Sequence, residues 1–350
     1  MMRSWGFGIG GWTVVGIVSL LVLSSPVRAC ETDGRYIMGT VFQATLCQAE
    51  PTSQAQMSAV WHEVFTTAQR FDALFTTYAP HSPLSYLNAQ AGQGLQAVPV
   101  EVSDILRISQ HYADLTNGAF DITVRPLLSL WRQAAKTQTR PTAEAIRHTL
   151  RFVGSQKLHL TAPHQVGLPA PGMALDLGGI GKGYALDRIA QRLHEQRLTN
   201  ALLNFGQSSL WALGRPSDGE GWRLLLRQPN GEIVGVATFS DQAVSISGSL
   251  GQSMQVEGRR YGHIIDPRTG RPVQRDLLAC VVAPSAAQAE ALSTALLILG
   301  EQEGLDLIEQ LDGVEGFLRE AHGTQWMTTG WERVSRFVAL VGAAQAAPLP

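Results

Sequence analysis

His263-Ile264-Ile265-Asp266-Pro267-Arg268-Thr269-Gly270-Arg271-Pro272-Val273 brings an imidazole, a carboxylate and a guanidinium into one short stretch. Pro267 and Gly270 are residue types that make a tight turn, and the two isoleucines bury its approach. A surface turn does not need that combination, whereas a site handling a phosphate-bearing or otherwise anionic ligand does. His263 and Asp266 are the candidate site residues of this turn, although a lone histidine is more often structural than catalytic.

Three other segments carry chemistry. Gly178, Gly179, Gly181 and Gly183 lie between Ala174-Leu175-Asp176-Leu177 and an amphipathic run, where backbone N–H groups and a helix dipole can hold an anion. Their spacing matches neither a dinucleotide-binding turn nor a P-loop, because Lys182 is followed by Gly183 rather than a hydroxyl residue. Glycines serving only a tight turn are the plain alternative. Glu290 and Thr294 are four apart, on one helical face, and offer hard oxygen ligands of the kind Mg²⁺ takes. The alternative there is a solvated Glu beside a Thr bonded to its own helix. In Thr116–Trp131, Phe120, together with Tyr78 upstream, could pack on a planar ring, and Asp121 could bond a ring or ribose edge.

These groups need elements to hold them. Val41, Ala44 and Leu46 alternate with polar residues and predict a strand. Val60, Val64, Ala68 and Phe71 predict a helix from Met57 to Leu74, and further helices are expected over Ser103–Leu115, Pro141–Val153 and Tyr184–Arg197. Thr161–Gly172 reads as a loop and Ala174–Leu177 as a short strand. Strands are expected at Ala201–Asn204, Ser209–Leu213, Trp222–Leu226, Ile233–Phe239, Ala243–Ser247 and Leu277–Val282. Ser285 and Gln288 have capping-box spacing for a helix to Leu299, with Gly300 as its stop. Helices mixed with runs of strands imply an α+β fold with mixed, largely antiparallel sheets flanked by helices.

With 350 residues, 45% hydrophobic and 16% charged, the chain is globular, and its net charge of −2 argues against nucleic acid as a partner. Residues 1–29 read as an export signal: Arg3, an apolar run from Trp12 to Leu23, then Val27-Arg28-Ala29 as a cleavage site. Cleavage would leave Cys30 first, favouring a lipoprotein anchored to the inner membrane from the periplasmic side. A Cys30–Cys47 disulfide with Cys280 as a buried thiol is the alternative. Residues 30–340 form the domain, and residues 341–350 are expected to be a disordered tail.

In order along the chain, the following segments together resemble the ApbE-type FAD:protein FMN transferases, known earlier as a thiamine-biosynthesis lipoprotein family. They are Met38-Gly39-Thr40; Tyr78, Ser82 and Asn88; Gly118-Ala119-Phe120-Asp121 through Trp131; Asp176 through Asp187; Asn204-Phe205-Gly206; Ser247-Gly248; the His263 segment; and Ala289–Leu296. The resemblance implies an FAD cleft between two lobes and Mg²⁺-dependent transfer of FMN to a threonine or serine of a target flavoprotein, typically a respiratory electron-transfer subunit, with release of AMP. It implies Met38, Tyr78, Ala119, Phe120, Asp121, Lys182, His263 and Ile264 as FAD contacts. The metal would fall to Gly179, Glu290 and Thr294, and the catalytic residues would be His263 and Asp266, whose turn lies beside the pyrophosphate with His263 as general base. The chain departs from the family pattern at Glu290, where Asp is usual, at Gln207 in place of Gly, and at Leu250 in place of an aromatic.

Overall fold

The computed structural model describes residues 30–48, 53–216, 219–228 and 231–339; the expected signal (1–29) and tail (341–350) lie outside them. Its helices in chain order are α1 (Gln54–Phe75), α2 (Pro83–Ala89), α3 (Val100–Leu115), α4 (Arg125–Thr137), α5 (Ala143–Leu150), α6 (Gly181–Glu195), α7 (Ala286–Glu309) and α8 (Trp331–Ser335). Ser53 starts α1 with a closed capping box to Gln56, and the helix buries Val60, Val64, Ala68 and Phe71 as their spacing predicts. Ser285 likewise caps α7 by accepting from the Gln288 N–H. Gly300 leaves helical geometry at φ 79°, so the first run ends where expected and a second continues to Glu309.

An eight-stranded sheet forms the middle layer, in the order Cys30–Ile37, Thr40–Cys47, Ala201–Phe205, Ser209–Leu213, Gln242–Gly248, Leu277–Ala283, Glu315–Glu320, Gln325–Met327. Every neighbouring pair is antiparallel. Leu277–Ala283 is buried at every position, which explains its unbroken apolar run. Leu277, Ala279 and Val281 pack on α7, while Leu278, Cys280 and Val282 face a second sheet that carries Trp222, Val234 and Phe239. A separate core of Leu127, Trp131, Ile146, Val256, Tyr261 and Ile265 makes a lobe from α4, α5 and the hairpin Ser253–Val256/Arg259–Gly262. The α+β reading holds.

Several expectations need correcting. In Thr40–Cys47 the inward residues are Phe42, Ala44 and Leu46, and Val41 points out. Ala174–Leu177 is not a strand: the Asn88 side chain takes the Leu175 N–H (2.7 Å) and gives to its carbonyl (3.0 Å), replacing a partner strand. Thr161–Gly172 contains a short strand, Gln165–Gly167, paired with His159–Thr161. Finally, Cys30 is joined to Cys47 at the open end of the first hairpin, and Cys280 is the buried free thiol. This pairing is the alternative that the sequence offered, and a lipid thioether on Cys30 would need the same sulfur.

Candidate active site

A cleft of about 870 Å³ opens between the α6–α7–sheet body and the α4 lobe. One wall starts with Met38-Gly39, the two-residue turn joining the first strands, both at positive φ (53° and 75°) in the manner of a type I′ hairpin. A methionine there is uncommon, and the turn brings its terminal methyl against α6: a Cβ on Gly181 would lie 3.5 Å from Met38 Cε. Tyr78, 88% exposed, stands at the mouth, while Ala119 and Phe120 are buried in the floor. Arg125 ties this side together through Thr77 Oγ1 (2.9 Å) and Asp176 (3.2 Å), and Asp176 in turn accepts from the Gly178 N–H (2.9 Å).

None of the four loop glycines sits at positive φ, so a tight turn is not why they are glycines. Close approach is. A Cβ on Gly183 would lie 2.3 Å from the Ala286 carbonyl, where the starts of α6 and α7 cross. One on Gly179 would meet Phe120 and the Thr294 hydroxyl at 3.4 Å, so the loop and the α7 face are in contact.

That crossing places Glu290, 4% exposed, at the head of α6. Its Oε2 accepts from the Gly183 N–H (2.7 Å), and its Oε1 accepts from the Ser209 hydroxyl and pairs with Lys182 Nζ (2.8 Å). The carboxylate therefore caps a helix whose N-cap residue, Ile180, supplies no side-chain bond. With the Thr294 hydroxyl and the Gly179 carbonyl it forms a set of hard oxygens, chemically suited to Mg²⁺, which takes few protein ligands and completes its shell with water and phosphate.

Across the cleft stands His263. Its Nδ1 lies 2.8 Å from the Gln252 carbonyl, which can only accept, so Nδ1 carries the proton and Nε2 presents its lone pair. Burial lowers the imidazole pKa from 6.5; the Gln252 bond opposes this and the Arg132 charge adds to it. His263 is thus a neutral base at pH 7. Arg132 also lines the cleft, from α4, and the sequence reading missed it. An arginine after Trp131 looks like a solvated helix residue; only the neighbouring lobe shows what it faces.

Two expected contacts are spent elsewhere. Asp121 lines the cleft, but Oδ1 accepts from the Thr123 N–H (2.7 Å) and hydroxyl (2.6 Å), and Oδ2 from the Ser155 N–H (2.8 Å). It shapes the floor rather than offering an oxygen to a ring. Asp266 does not line the cleft, although Ile264, Ile265 and Pro267 do. Its carboxylate is held by the Arg268 backbone (2.9 Å) and guanidinium (3.0 and 3.2 Å), and its carbonyl accepts from Gly270 (2.8 Å). Asp266 thus closes the turn, with its carboxylate committed to Arg268 and not facing the cleft.

Comparison with known proteins agrees with this geometry. The ApbE family model matches residues 38–318. The FAD:protein FMN transferase of Treponema pallidum is 30% identical over 80% of this chain and 81% of its own, and that of Escherichia coli K12 is 30% identical over 83% and 84%. The apo crystal structure of the Pseudomonas stutzeri flavinyl transferase ApbE superposes with a TM-score of 0.75 at 27% identity, covering 88% of this chain and 97% of that one. With the same fold, and matched segments that converge on one cleft, the chain belongs to the ApbE family.

Proposed function

We propose that the protein transfers the FMN half of FAD to a threonine or serine hydroxyl of an acceptor flavoprotein, releasing AMP. One observation carries this: a neutral histidine base, a lysine and a hard-oxygen set, drawn from segments 115 residues apart in the chain at their widest (Gly179 to Thr294), face a single cleft. Its volume is toward the upper end of the small-molecule range of about 300–1,000 Å³, which suits a dinucleotide.

His263 Nε2 accepts the hydroxyl proton as the acceptor oxygen forms its bond to the FMN phosphorus. The bond from that phosphorus to the bridging oxygen breaks, and AMP leaves with the electron pair. Lys182 neutralises charge on the phosphates, and the mouth residue Tyr78 is free to cover the flavin ring. Gly179, Glu290 and Thr294 would hold Mg²⁺, which when bound supplies further charge neutralisation at the pyrophosphate. The Cys30–Cys47 disulfide supports an exported protein working in an oxidising compartment such as the periplasm. The relatives' transferase names support the reaction class.

Incubation with FAD, Mg²⁺ and a threonine-bearing acceptor domain tests the reading. Covalent flavin fluorescence on the acceptor and stoichiometric AMP are expected. AMP without labelled acceptor would mean hydrolysis of FAD, and bound FAD with neither product would mean a carrier. His263→Ala should lower transfer by about 10²–10⁴-fold with FAD affinity retained; wild-type rates would remove it as the base.

A further inference from the structure

Behind the His263 segment lies a second hollow of about 570 Å³, separate from the cleft. Its floor is buried and amphipathic: Trp131, Ile146 and Tyr261. Its rim carries two exposed guanidiniums, Arg140 and Arg271. Neither guanidinium forms an ion pair or hydrogen bond among the described residues. The nearest acid on the adjoining hairpin, Glu257, accepts from the Arg140 backbone N–H (3.0 Å) rather than from its side chain. Glu144, in the first turn of α5, is the other acid on a lining element.

The hollow and the cleft are lined by neighbouring residues of the same elements: Trp131 of α4 lines the hollow and the next residue, Arg132, lines the cleft. Tyr261 lines the hollow and His263 the cleft, a backbone span of about 7 Å at most. These elements are tied together: Trp131 Nε1 donates to the Gly270 carbonyl (2.9 Å), and Ile265 and Asp266 pair with Pro272 and Arg271. A Cβ on Gly270, at φ 70°, would lie 2.6 Å from the Ile146 side chain, so the turn is packed directly on the lobe.

We propose that this hollow is the docking site for an acidic segment of the acceptor polypeptide. The inference rests on the transferase reading, because a protein acceptor must bring its hydroxyl to His263 while the dinucleotide fills the cleft. Its binding contacts then have to lie beside the cleft, and this is the adjoining concavity, lined by neighbouring residues of the same elements. Two unpaired guanidiniums call for carboxylates, which arginine forks bind in bidentate fashion. The Trp131–Tyr261 floor, with ring centroids 5.0 Å apart, takes the apolar part of the same segment.

The test uses two fluorescein-labelled peptides with a central threonine, one flanked by aspartates and the other by asparagines. Binding is read by anisotropy in the presence of FAD. Wild-type protein should bind the acidic peptide at least tenfold more tightly, and Arg140→Glu/Arg271→Glu should abolish that preference while FAD affinity and thermal midpoint stay at wild-type values. Equal binding of both peptides by the wild type, or an undiminished preference in the double variant, overturns the assignment. Flavin labelling of the bound peptide is read separately. Preferential binding without labelling would count against the transferase reading and leave the docking site standing.

Discussion

Asp187 and Glu290 perform the same task on each other's helices. Asp187, from α6, accepts from the Ala286 N–H (2.7 Å), the Ala287 N–H (3.0 Å) and the Ser285 hydroxyl (2.7 Å), capping α7. Glu290, from α7, accepts from the Gly183 N–H and caps α6. The two carboxylates make a reciprocal clasp across the crossing at Gly183. Yet they differ in what remains. Asp187 takes a fourth donor, Trp211 Nε1 (3.0 Å), and has no face on the cleft. Burial raises its pKa, and its four donors pull it back. Glu290 spends one oxygen on the clasp and turns the other toward the cleft, where Lys182 meets it. The difference is that the second oxygen of Glu290, which also accepts from Ser209, belongs to a residue that lines the cleft, whereas all the bonds of Asp187 lie away from it.

Substitutions can separate the two. Glu290→Gln keeps the Gly183 cap through its amide oxygen but removes the charge, and transfer should fall roughly 100-fold or more with little change in FAD affinity. Unchanged turnover would take Glu290 out of the site. Glu290→Asp, the family's usual residue, keeps the charge but cannot reach every donor. It should retain transfer to within about tenfold of wild type while losing about 1 kcal/mol of stability in denaturant titration. Activity as low as that of Glu290→Gln would show that reach, not charge, is what matters. Asp187→Ala should show the opposite pattern, a loss of about 2 kcal/mol from the missing cap and unpaired donors, with kcat near wild type for the folded protein. A large kcat loss would erase the contrast.

The smallest effect concerns the base facing the pair across the cleft. His263 has its pKa lowered, so it is neutral, and transfer persists, until the pH falls below the ordinary value of about 6.5. Removing a cation beside an imidazole favours its protonated form. Arg132→Met should therefore move the acid limb of the pH–rate profile upward, toward 6.5, and Arg132→Lys should restore it. A limb that does not move would mean Arg132 leaves the base unaffected.

Much of this was legible in the chain because it depends on local rules. Ser285, Gln288 and Gly300 announce the ends of the first run of α7, and helical spacing puts Glu290 and Thr294 on one face. The apolar run at Leu277 announces a strand covered on both sides. Pro126, with Leu127, Trp131 and Ala134 at helical spacing, signalled α4 and went unread. What could not be read is where a polar group spends its bonds. Asp121 and Asp266 look available in sequence, but their oxygens go to Thr123, Ser155 and Arg268, and only the folded chain shows it. Asn88 replacing a whole partner strand for Leu175 is of the same kind: a side chain from 87 residues away satisfies the backbone.

On the proposed reading of Glu290 as a metal ligand, its pairing with Lys182 would set an order of events in the cleft. The ligand-free cleft holds the Lys182 ammonium on Oε1 (2.8 Å), in competition with any divalent cation there. Any anion that draws Lys182 aside raises metal affinity, and by reciprocity the metal raises the affinity for that anion by the same factor. On that reading nucleotide and metal would each strengthen the binding of the other, and a cleft without nucleotide would hold cations weakly.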